Sequence, residues 1–234
     1  MDGKLIVFEG VEGCGKTSQM QLCQEWLQSL GISVVVTREP GGTELGLHLR
    51  RLLLENAENQ PIAELTELLL YAADRAQHVE QELKPYLAAG KYVLCDRYTD
   101  STIAYQGYGR GLNMSIINHL NQIATSGMTS DLTIWLDVDV EVGLARKRSV
   151  GEGLDRIEQE AIAFHHRVQQ GYSELAASSP NRIVRVDGNS SKEAVQKVIQ
   201  GILGDRFTLN NYRETNLELI RKDTPSSDKS NFSG

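Results

Sequence analysis

The feature that most restricts the fold is a glycine-rich segment near the N-terminus, Gly10-Val11-Glu12-Gly13-Cys14-Gly15-Lys16-Thr17. It matches the pattern G-x-x-x-x-G-K-[ST], follows the apolar run Leu5–Phe8 and precedes an amphipathic helical pattern. In that context backbone N–H groups surround a phosphate, Lys16 adds a cation and Thr17 offers a hydroxyl to Mg²⁺. A plain helix-capping turn is the alternative, which the flanking strand and helix patterns disfavour. The segment therefore predicts a binding site for a nucleoside triphosphate formed by these eight residues.

Apolar segments alternate with amphipathic helical patterns along the rest of the chain. Strands that are apolar on both faces and are followed by helices are typical of a parallel sheet covered on both sides. We therefore expect an α/β fold with a five-stranded parallel sheet and helices on both faces. The predicted strands are Leu5–Phe8, Ile32–Thr37, Tyr92–Cys95, Leu132–Val138 and Ile183–Val186.

The helical patterns also predict which side chains face the core. Capping boxes are expected where an acidic residue follows a cap residue by three positions, at Asp155 with Glu158 and at Ser190 with Glu193. Each box is predicted to open a helix. The leucines expected to point inward from the second and third helices include Leu45, Leu49, Leu52, Leu53, Leu65, Leu68 and Leu69.

Length and composition indicate one compact domain, because the chain has 234 residues of which 40% are hydrophobic. We expect this domain to span residues 1–204, with a lid at about 146–156 and a polar, largely disordered C-terminal extension over 205–234. The net charge of −7 argues against a nucleic-acid polymer as partner. No apolar run reaches membrane-spanning length. Three cysteines without C-x-x-C spacing indicate free thiols in a reducing cytoplasm.

Charged residues follow the second and third predicted strands, where ligands bind on parallel sheets. Asp96 ends the third strand and is predicted to hold Mg²⁺ beside Thr17, the alternative being a carboxylate paired with Arg97. Arg38, Arg75 and Arg97 are candidates for gripping a second phosphate, since a guanidinium binds phosphate oxygens in bidentate fashion.

A second set of basic residues flanks a glycine-bearing loop that resembles a mobile lid, namely Arg146, Lys147, Arg148 and Arg156. Closure of this loop would bring cations to a transferring phosphoryl group and expel water, whereas a solvated basic helix end is the alternative. A phosphate acceptor is already largely ionised at neutral pH and needs no general base, so Glu12 is better suited to bind an acceptor hydroxyl. The predicted catalytic residues are Lys16, Arg97, Arg146, Lys147, Arg148 and Arg156.

Five motifs stand in the order found in thymidylate kinases, namely Phe8–Thr17, Arg38–Thr43, Tyr71–Arg75, Asp96–Tyr98 with Ala104–Gly107, and Leu154–Glu158. The chain resembles a bacterial-type member of that family over roughly residues 3 to 204. This resemblance implies a three-layer P-loop kinase fold, a homodimer and transfer of the γ-phosphoryl group of ATP to dTMP with Mg²⁺.

The resemblance also implies roles for single residues. Glu12 would bind the sugar 3′-hydroxyl, and Arg38 and Arg97 the dTMP phosphate. Tyr71 would stack on thymine, although a plain core aromatic is the alternative there. Arg75 would hydrogen-bond a thymine carbonyl, with Thr102 and Gln106 near the base edge, and Arg146 would lie against adenine close to the backbone of Asp187-Gly188.

Two other functions remain open from the sequence. A kinase of the same fold acting on a different nucleoside monophosphate would share most of these motifs. A nucleotide-dependent switch is the other, but the guanine-reading pattern N-K-x-D is absent from the chain.

Overall fold

The protein is described by a computed structural model covering residues 2–55, 61–149 and 155–209. Its centre is a five-stranded sheet in the spatial order β2-β3-β1-β4-β5, and every neighbouring pair is parallel. The predicted parallel sheet is confirmed, with strand limits within two residues of those expected. The strands are β1 (Lys4–Glu9), β2 (Val34–Arg38), β3 (Tyr92–Asp96), β4 (Leu132–Asp137) and β5 (Ile183–Asp187).

Helices cover both faces of the sheet. Alternate residues of each strand point to opposite faces, so a strand that is apolar throughout needs apolar partners on both sides. Leu5 and Val7 of β1 pack in one apolar cluster with Val79 and Leu83, whereas Ile6 belongs to the cluster on the other face. The helices are α1 (Lys16–Ser29), α2 (Glu44–Leu54), α3 (Glu64–His78), α4 (Lys84–Ala88), α5 (Thr99–Thr102), α6 (Met114–Thr125), α7 (Val140–Ser149), α8 (Ile162–Ser178) and α9 (Lys192–Arg206), with π-helical segments at Val79–Leu83 and Ile103–Gly109.

The two predicted capping boxes are only partly correct. Asp155 Oδ1 accepts the N–H groups of Ile157 and Glu158, and Glu158 Oε2 accepts the N–H of Asp155, all at 2.9 Å. These contacts close an isolated turn, and α8 begins later at Ile162 because Ala161 has extended backbone angles. The cap of α9 is Ser191, whose Oγ accepts the N–H of Ala194 at 3.2 Å, rather than Ser190.

The predicted inward face of α2 and α3 is wrong at several positions. Leu45, Leu52, Leu65 and Leu69 are 48% to 57% exposed. The buried residues of α3 are mostly polar, including Glu67, Asp74, Arg75 and His78. Helical periodicity identifies two faces but not which one meets the rest of the fold, and here the polar face of α3 points inward.

The second strand is less buried than its β-branched sequence predicts. Val36 is 43% exposed, and Val34 and Val35 are only partly buried. The reason is topological, because β2 lies at the edge of the sheet and pairs with β3 alone.

The packed body continues beyond the expected boundary at residue 204, since α9 ends at Arg206. Leu209 is buried, and the Phe207 ring meets the Tyr92 ring edge-on with centroids 5.7 Å apart. The rest of the predicted C-terminal extension, 210–234, and the predicted lid residues 150–154 lie outside the described residues. Within the described ranges, none of the helices combines the length and apolar character needed to cross a membrane.

Candidate active site

A cleft of about 470 Å³ opens at the carboxyl ends of β1, β2 and β3. The structure thereby brings together groups that are distant in sequence: the glycine-rich loop after β1, Arg38 after β2, and Asp96 and Arg97 after β3. All seven residues predicted to bind substrate line this cleft, namely Glu12, Arg38, Tyr71, Arg75, Arg97, Thr102 and Gln106.

The glycine-rich loop has the backbone shape that phosphate binding requires. Gly10, Gly13 and Gly15 have positive φ angles of 142°, 69° and 95°, which L side chains rarely adopt. Lys16 Nζ donates to the carbonyls of Gly10 at 3.1 Å and Val11 at 3.3 Å, so its ammonium is held inside the loop. Among the described residues, the loop positions that line the cleft are Glu12, Gly13, Cys14, Gly15, Lys16 and Thr17.

The loop also contacts α7 through two glycines. A Cβ atom on Gly13 would lie 2.0 Å from the carbonyl oxygen of Gly143, and one on Gly143 would lie 2.4 Å from the carbonyl oxygen of Glu12. Both distances are far below van der Waals contact. The phosphate loop and α7 therefore pack backbone against backbone.

Asp96 and Thr17 fit the predicted Mg²⁺ site. Both line the cleft, and Asp96 Oδ1 is buried without a hydrogen-bond partner in the part of the chain that the structure describes. The described residues contain no cluster of three or more His, Cys, Asp or Glu that would hold a metal by itself. Mg²⁺ is commonly bound by one or two protein oxygens together with substrate phosphates, so this sparse set is suitable.

Arg97 is held in the cleft by contacts from several sides. Its Nη2 donates to Glu12 Oε1 at 2.8 Å, and its Nη1 donates to the Tyr172 hydroxyl at 3.2 Å. The guanidinium also lies over the Tyr105 ring, 4.8 Å from its centroid. Its φ of 70° is unusual for a residue with a side chain, and such strain is concentrated at functional sites.

Glu12 remains a carboxylate in this setting. Burial opposes its ionisation, but the charge of Arg97, the nearby His165 imidazole and the charge of Lys16 outweigh it and lower the pKa of Glu12. The Nδ1 atom of His165 lies 3.6 Å from Glu12 Oε2. Its Oε1 also accepts the Tyr105 hydroxyl at 2.7 Å. An ionised carboxylate accepts hydrogen bonds only, as required to bind a substrate hydroxyl.

Glu9 is a buried carboxylate beneath the cleft whose role the sequence does not reveal. It accepts hydrogen bonds from the N–H groups of Tyr98 and Ser101, from Ser101 Oγ at 2.6 Å and from the Tyr172 hydroxyl at 2.7 Å. Burial raises its pKa. Glu9 thus fixes the segment after β3, on which Arg97 lies.

Arg75 is held by a nearly complete set of acceptors. Nε donates to Glu39 Oε2 at 2.7 Å, Nη1 donates to Thr102 Oγ1 and Asn121 Oδ1, and Nη2 donates to the Tyr98 carbonyl. A guanidinium has five N–H groups, so these contacts within the described residues engage four of them. Arg75 also lines the cleft, and its remaining N–H, on Nη2, has no acceptor among these contacts.

The cleft wall contains one cation that the sequence does not reveal, Arg50 of α2. Burial and the neighbouring charge of Arg38 lower its pKa, and its Nη1 donates to the Pro40 carbonyl at 3.1 Å. Like-charged guanidiniums brought together in a cleft are typical of an anion site. A basic residue beside the apolar positions of α2 was the only signal in the sequence.

Two of the predicted lid cations reach the cleft. Arg146 Nη1 donates to the Gly188 carbonyl at 3.3 Å, which places the two groups expected near adenine side by side. Lys147 pairs with Glu158 at 3.5 Å, and both line the cleft. Burial raises the pKa of Glu158.

Arg148 and Arg156, also predicted to act in catalysis, do not line the cleft formed by the described residues. Arg148 is exposed on α7, as the solvated helix-end alternative requires. Arg156 Nη2 pairs with the buried carboxylate of Glu67, and its Nε donates to the Leu53 carbonyl at 2.9 Å. The charge of Arg156 is thus engaged behind the cleft wall in this conformation.

Comparisons with known proteins agree on one family. The thymidylate kinase family model matches residues 8–199. A thymidylate kinase of Nostoc punctiforme is 83% identical over 203 residues, which are 87% of this chain and 96% of the relative, and one of another Nostoc species is 79% identical over the same shares. A crystal structure of thymidylate kinase from Ehrlichia chaffeensis has a TM-score of 0.72 and 34% identity, covering 87% of this chain and 100% of that chain. With its P-loop kinase fold and its cleft, the chain belongs to the thymidylate kinase family, in its bacterial type.

Proposed function

We propose that the protein transfers the γ-phosphoryl group of ATP to dTMP, giving dTDP and ADP. The observation that carries this proposal is a single cleft lined both by the phosphate loop and by every residue that the family motifs assign to the acceptor nucleotide. Donor and acceptor phosphates would therefore meet in one enclosed space, which is how phosphoryl transfer is accelerated.

The donor phosphates would bind the N–H groups of the loop and Lys16. Arg146 and Lys147 would approach from the lid side, and the charge that spreads over the transferring group would be stabilised by these cations. Mg²⁺ held by Thr17 and Asp96 would neutralise phosphate charge and fix the donor's orientation.

The acceptor phosphate would lie among Arg38, Arg50 and Arg97. Because a phosphate monoester has its second pKa near 6, it is largely ionised at neutral pH and attacks without a general base. Glu12 would accept the sugar 3′-hydroxyl and set the distance between acceptor and phosphate loop. Positioning and electrostatic stabilisation are then the whole contribution of these side chains.

The base would stack on Tyr71, which is half-buried in the cleft wall rather than enclosed in the core. Burial raises the pKa of its hydroxyl, so the ring stays neutral. The remaining N–H of Arg75 would donate to a thymine carbonyl, and Thr102 and Gln106 would lie at the base edge.

We also propose a homodimer formed by α2, α3 and α6. These helices are neighbours, with α3 packed against both others. Each of them exposes large apolar side chains, and exposed apolar surface on neighbouring helices is typical of an interface. The exposed residues are Leu45, Leu47, Leu52, Leu65, Leu69, Ile116 and Ile123.

A cytoplasmic location is part of the proposal. Cys14, Cys23 and Cys95 are all free and buried, which suits a reducing compartment.

The test is a coupled assay of ADP release with ATP and Mg²⁺, offering dTMP, dUMP, AMP, CMP and GMP in parallel. We expect strong preference for dTMP. Preference for another monophosphate would keep the reaction but overturn the assignment of the base pocket. Absence of turnover with every acceptor would contradict the proposed function.

A further inference from the structure

We propose that Glu67 is a positioning residue that orients the side-chain amide of Gln106 and thereby makes the pocket select thymine over an aminopyrimidine. This inference rests on the proposed function, because it assumes that the base lies against Gln106 and Arg75. Glu67 itself does not line the cleft formed by the described residues, so it would act through Gln106.

Glu67 lies on α3 directly behind the base-binding wall and is 1% exposed. Its Oε1 accepts Gln106 Nε2 at 2.8 Å. Gln106 is equally enclosed, 2% exposed, and lines the cleft. The contact therefore joins a buried carboxylate to a residue that faces the substrate.

Two arginines hold the carboxylate in place. Arg110 donates through Nε to Oε1 and through Nη2 to Oε2, each at 3.3 Å, and Arg156 donates through Nη2 to Oε2. Burial alone would raise the pKa of Glu67, but the hydrogen bonds from Gln106 and Arg156 and the charge of Arg110 lower it. Glu67 is therefore ionised at neutral pH and has no freedom to turn away from Gln106.

An ionised carboxylate fixes which end of a glutamine amide faces it. A carboxylate accepts hydrogen bonds only, whereas the amide has a donating NH₂ and an accepting carbonyl oxygen. Glu67 must receive the NH₂ of Gln106, which turns Oε1 away from the carboxylate. Among the described residues Oε1 has no hydrogen-bond donor, so it is the polar atom that Gln106 offers to the cleft.

Gln106 Oε1 would then be an acceptor at the base edge, and the remaining N–H of Arg75 would be a donor. Thymine presents the opposite pair, an N–H at position 3 and a carbonyl at position 4. An aminopyrimidine such as 5-methylcytosine presents an unprotonated ring nitrogen and an amino group at these positions, so that both contacts become repulsive. Sites that pair buried polar groups with a substrate reject the mismatched analogue strongly.

The experiment compares dTMP with 5-methyl-dCMP, because the two acceptors differ only at the edge that Gln106 and Arg75 would read. In Glu67→Gln, Arg110 and Arg156 attract the side-chain amide oxygen of the new glutamine, so that its side-chain NH₂ faces Gln106. Gln106 then turns its own NH₂ toward the cleft. We expect the ratio of kcat/KM for dTMP to that for 5-methyl-dCMP to fall by about tenfold or more, as the loss of a well-aligned buried hydrogen bond implies.

This ratio is insensitive to merely structural damage, since both acceptors use the same ATP site, lid and fold. A ratio within twofold of the wild-type value in folded Glu67→Gln protein would overturn the proposal. Glu67→Asp keeps the charge for the arginines but withdraws the carboxylate from Gln106. It is also expected to lower the ratio and serves as the test if Glu67→Gln does not fold.

Glu160→Gln is the matched control. Glu160 accepts Arg110 Nη1 at 2.5 Å and is the other acidic partner of that arginine, but it does not contact Gln106. Its substitution is expected to leave the ratio unchanged. In a Gln106→Ala background, Glu67→Gln should no longer alter the ratio, and a further change there would show that Glu67 acts by another route. Failure of wild-type protein to phosphorylate dTMP would instead contradict the proposed function.

Discussion

Among individual side chains, Arg97 carries the sharpest prediction, because its guanidinium joins the acceptor side of the cleft to Glu12 of the phosphate loop. Arg97→Ala should lower kcat/KM for dTMP by about a hundredfold or more, since a charge-assisted contact to the acceptor phosphate is lost. ATP affinity, measured by titration calorimetry, should change little. Arg148→Ala, which removes an exposed arginine outside the cleft, is the control and should be near wild type. If Arg97→Ala lowers ATP affinity as much as it lowers kcat/KM for dTMP, Arg97 does not act on the acceptor phosphate alone and the assignment is wrong.

A second prediction concerns Asp74, which is buried on α3 with Oδ1 accepting the N–H of Gly41 at 3.0 Å. Burial and the neighbouring charge of Glu39 raise its pKa from 3.8 to about 6. A carboxyl with a raised pKa stabilises the folded state most when protonated, so this contribution is lost as pH rises through about 4 to 6.

Asp74→Asn keeps an oxygen for Gly41 and removes the titration. The quantity to compare is the free energy of unfolding of the variant minus that of the wild type. This difference should be more positive at pH 7 than at pH 4 by on the order of 2 kcal/mol. Urea denaturation at both pH values measures this difference. A difference that does not vary with pH would show that Asp74 does not titrate in this range.

Some site residues are visible in the sequence and others are not, for a physical reason. The glycine-rich loop is contiguous, so its backbone shape follows from local residue types. Arg50 and Glu67 are isolated charges on helices, and nothing local distinguishes them from surface residues. Their roles depend on which helix face turns inward and on partners far along the chain, such as Arg110 and Arg156.

At the scale of helices and loops, the phosphate loop and α7 pack backbone against backbone at Gly13 and Gly143. Gly143→Ala would place a methyl group 2.4 Å from the Glu12 carbonyl oxygen. Because this oxygen belongs to the backbone, the clash cannot be relieved by rotating a side chain. We expect a loss of ATP affinity together with a lower melting temperature, because the loop must shift to relieve the clash.

Gly201→Ala in α9 is the matched control, since no described atom lies within 4 Å of the added methyl group. It should stabilise the protein by about 0.5–1 kcal/mol through helix propensity alone. Wild-type ATP affinity in Gly143→Ala would contradict the rigid packing of loop against helix.

The elements themselves follow from the sequence more reliably than their orientation does. Strands β1, β3 and β4 are buried on both faces, so their apolar runs identify them directly. Leu65 and Leu69 were expected inside because apolar periodicity usually indicates the buried face. In α3 the polar face is the buried one, since Arg75 lines the cleft and Glu67 contacts Gln106 behind the cleft wall.

For the molecule as a whole, the exposed apolar face of α2, α3 and α6 predicts the state of assembly. Leu69→Glu would place a charge within the proposed interface, and an unpaired buried charge is strongly unfavourable. We expect the variant to sediment as a monomer where the wild type sediments as a dimer. Gln77→Glu, a charge introduced on the same helix outside that apolar set, should remain dimeric. A monomeric wild-type protein would remove the basis of the proposal.

The two faces of α3 also restrict how this gene can change. One face carries Tyr71 and Arg75, which line the cleft, and Glu67, which contacts Gln106 behind it, and another exposes Leu65 and Leu69. Because each residue advances a helix by about 100°, inserting or deleting one codon within α3 would rotate every later side chain by more than a quarter turn. Substitutions can be tolerated one at a time, but a single-codon insertion or deletion would misplace both faces at once. In the evolutionary record of such proteins, α3 should therefore vary in sequence while keeping its length.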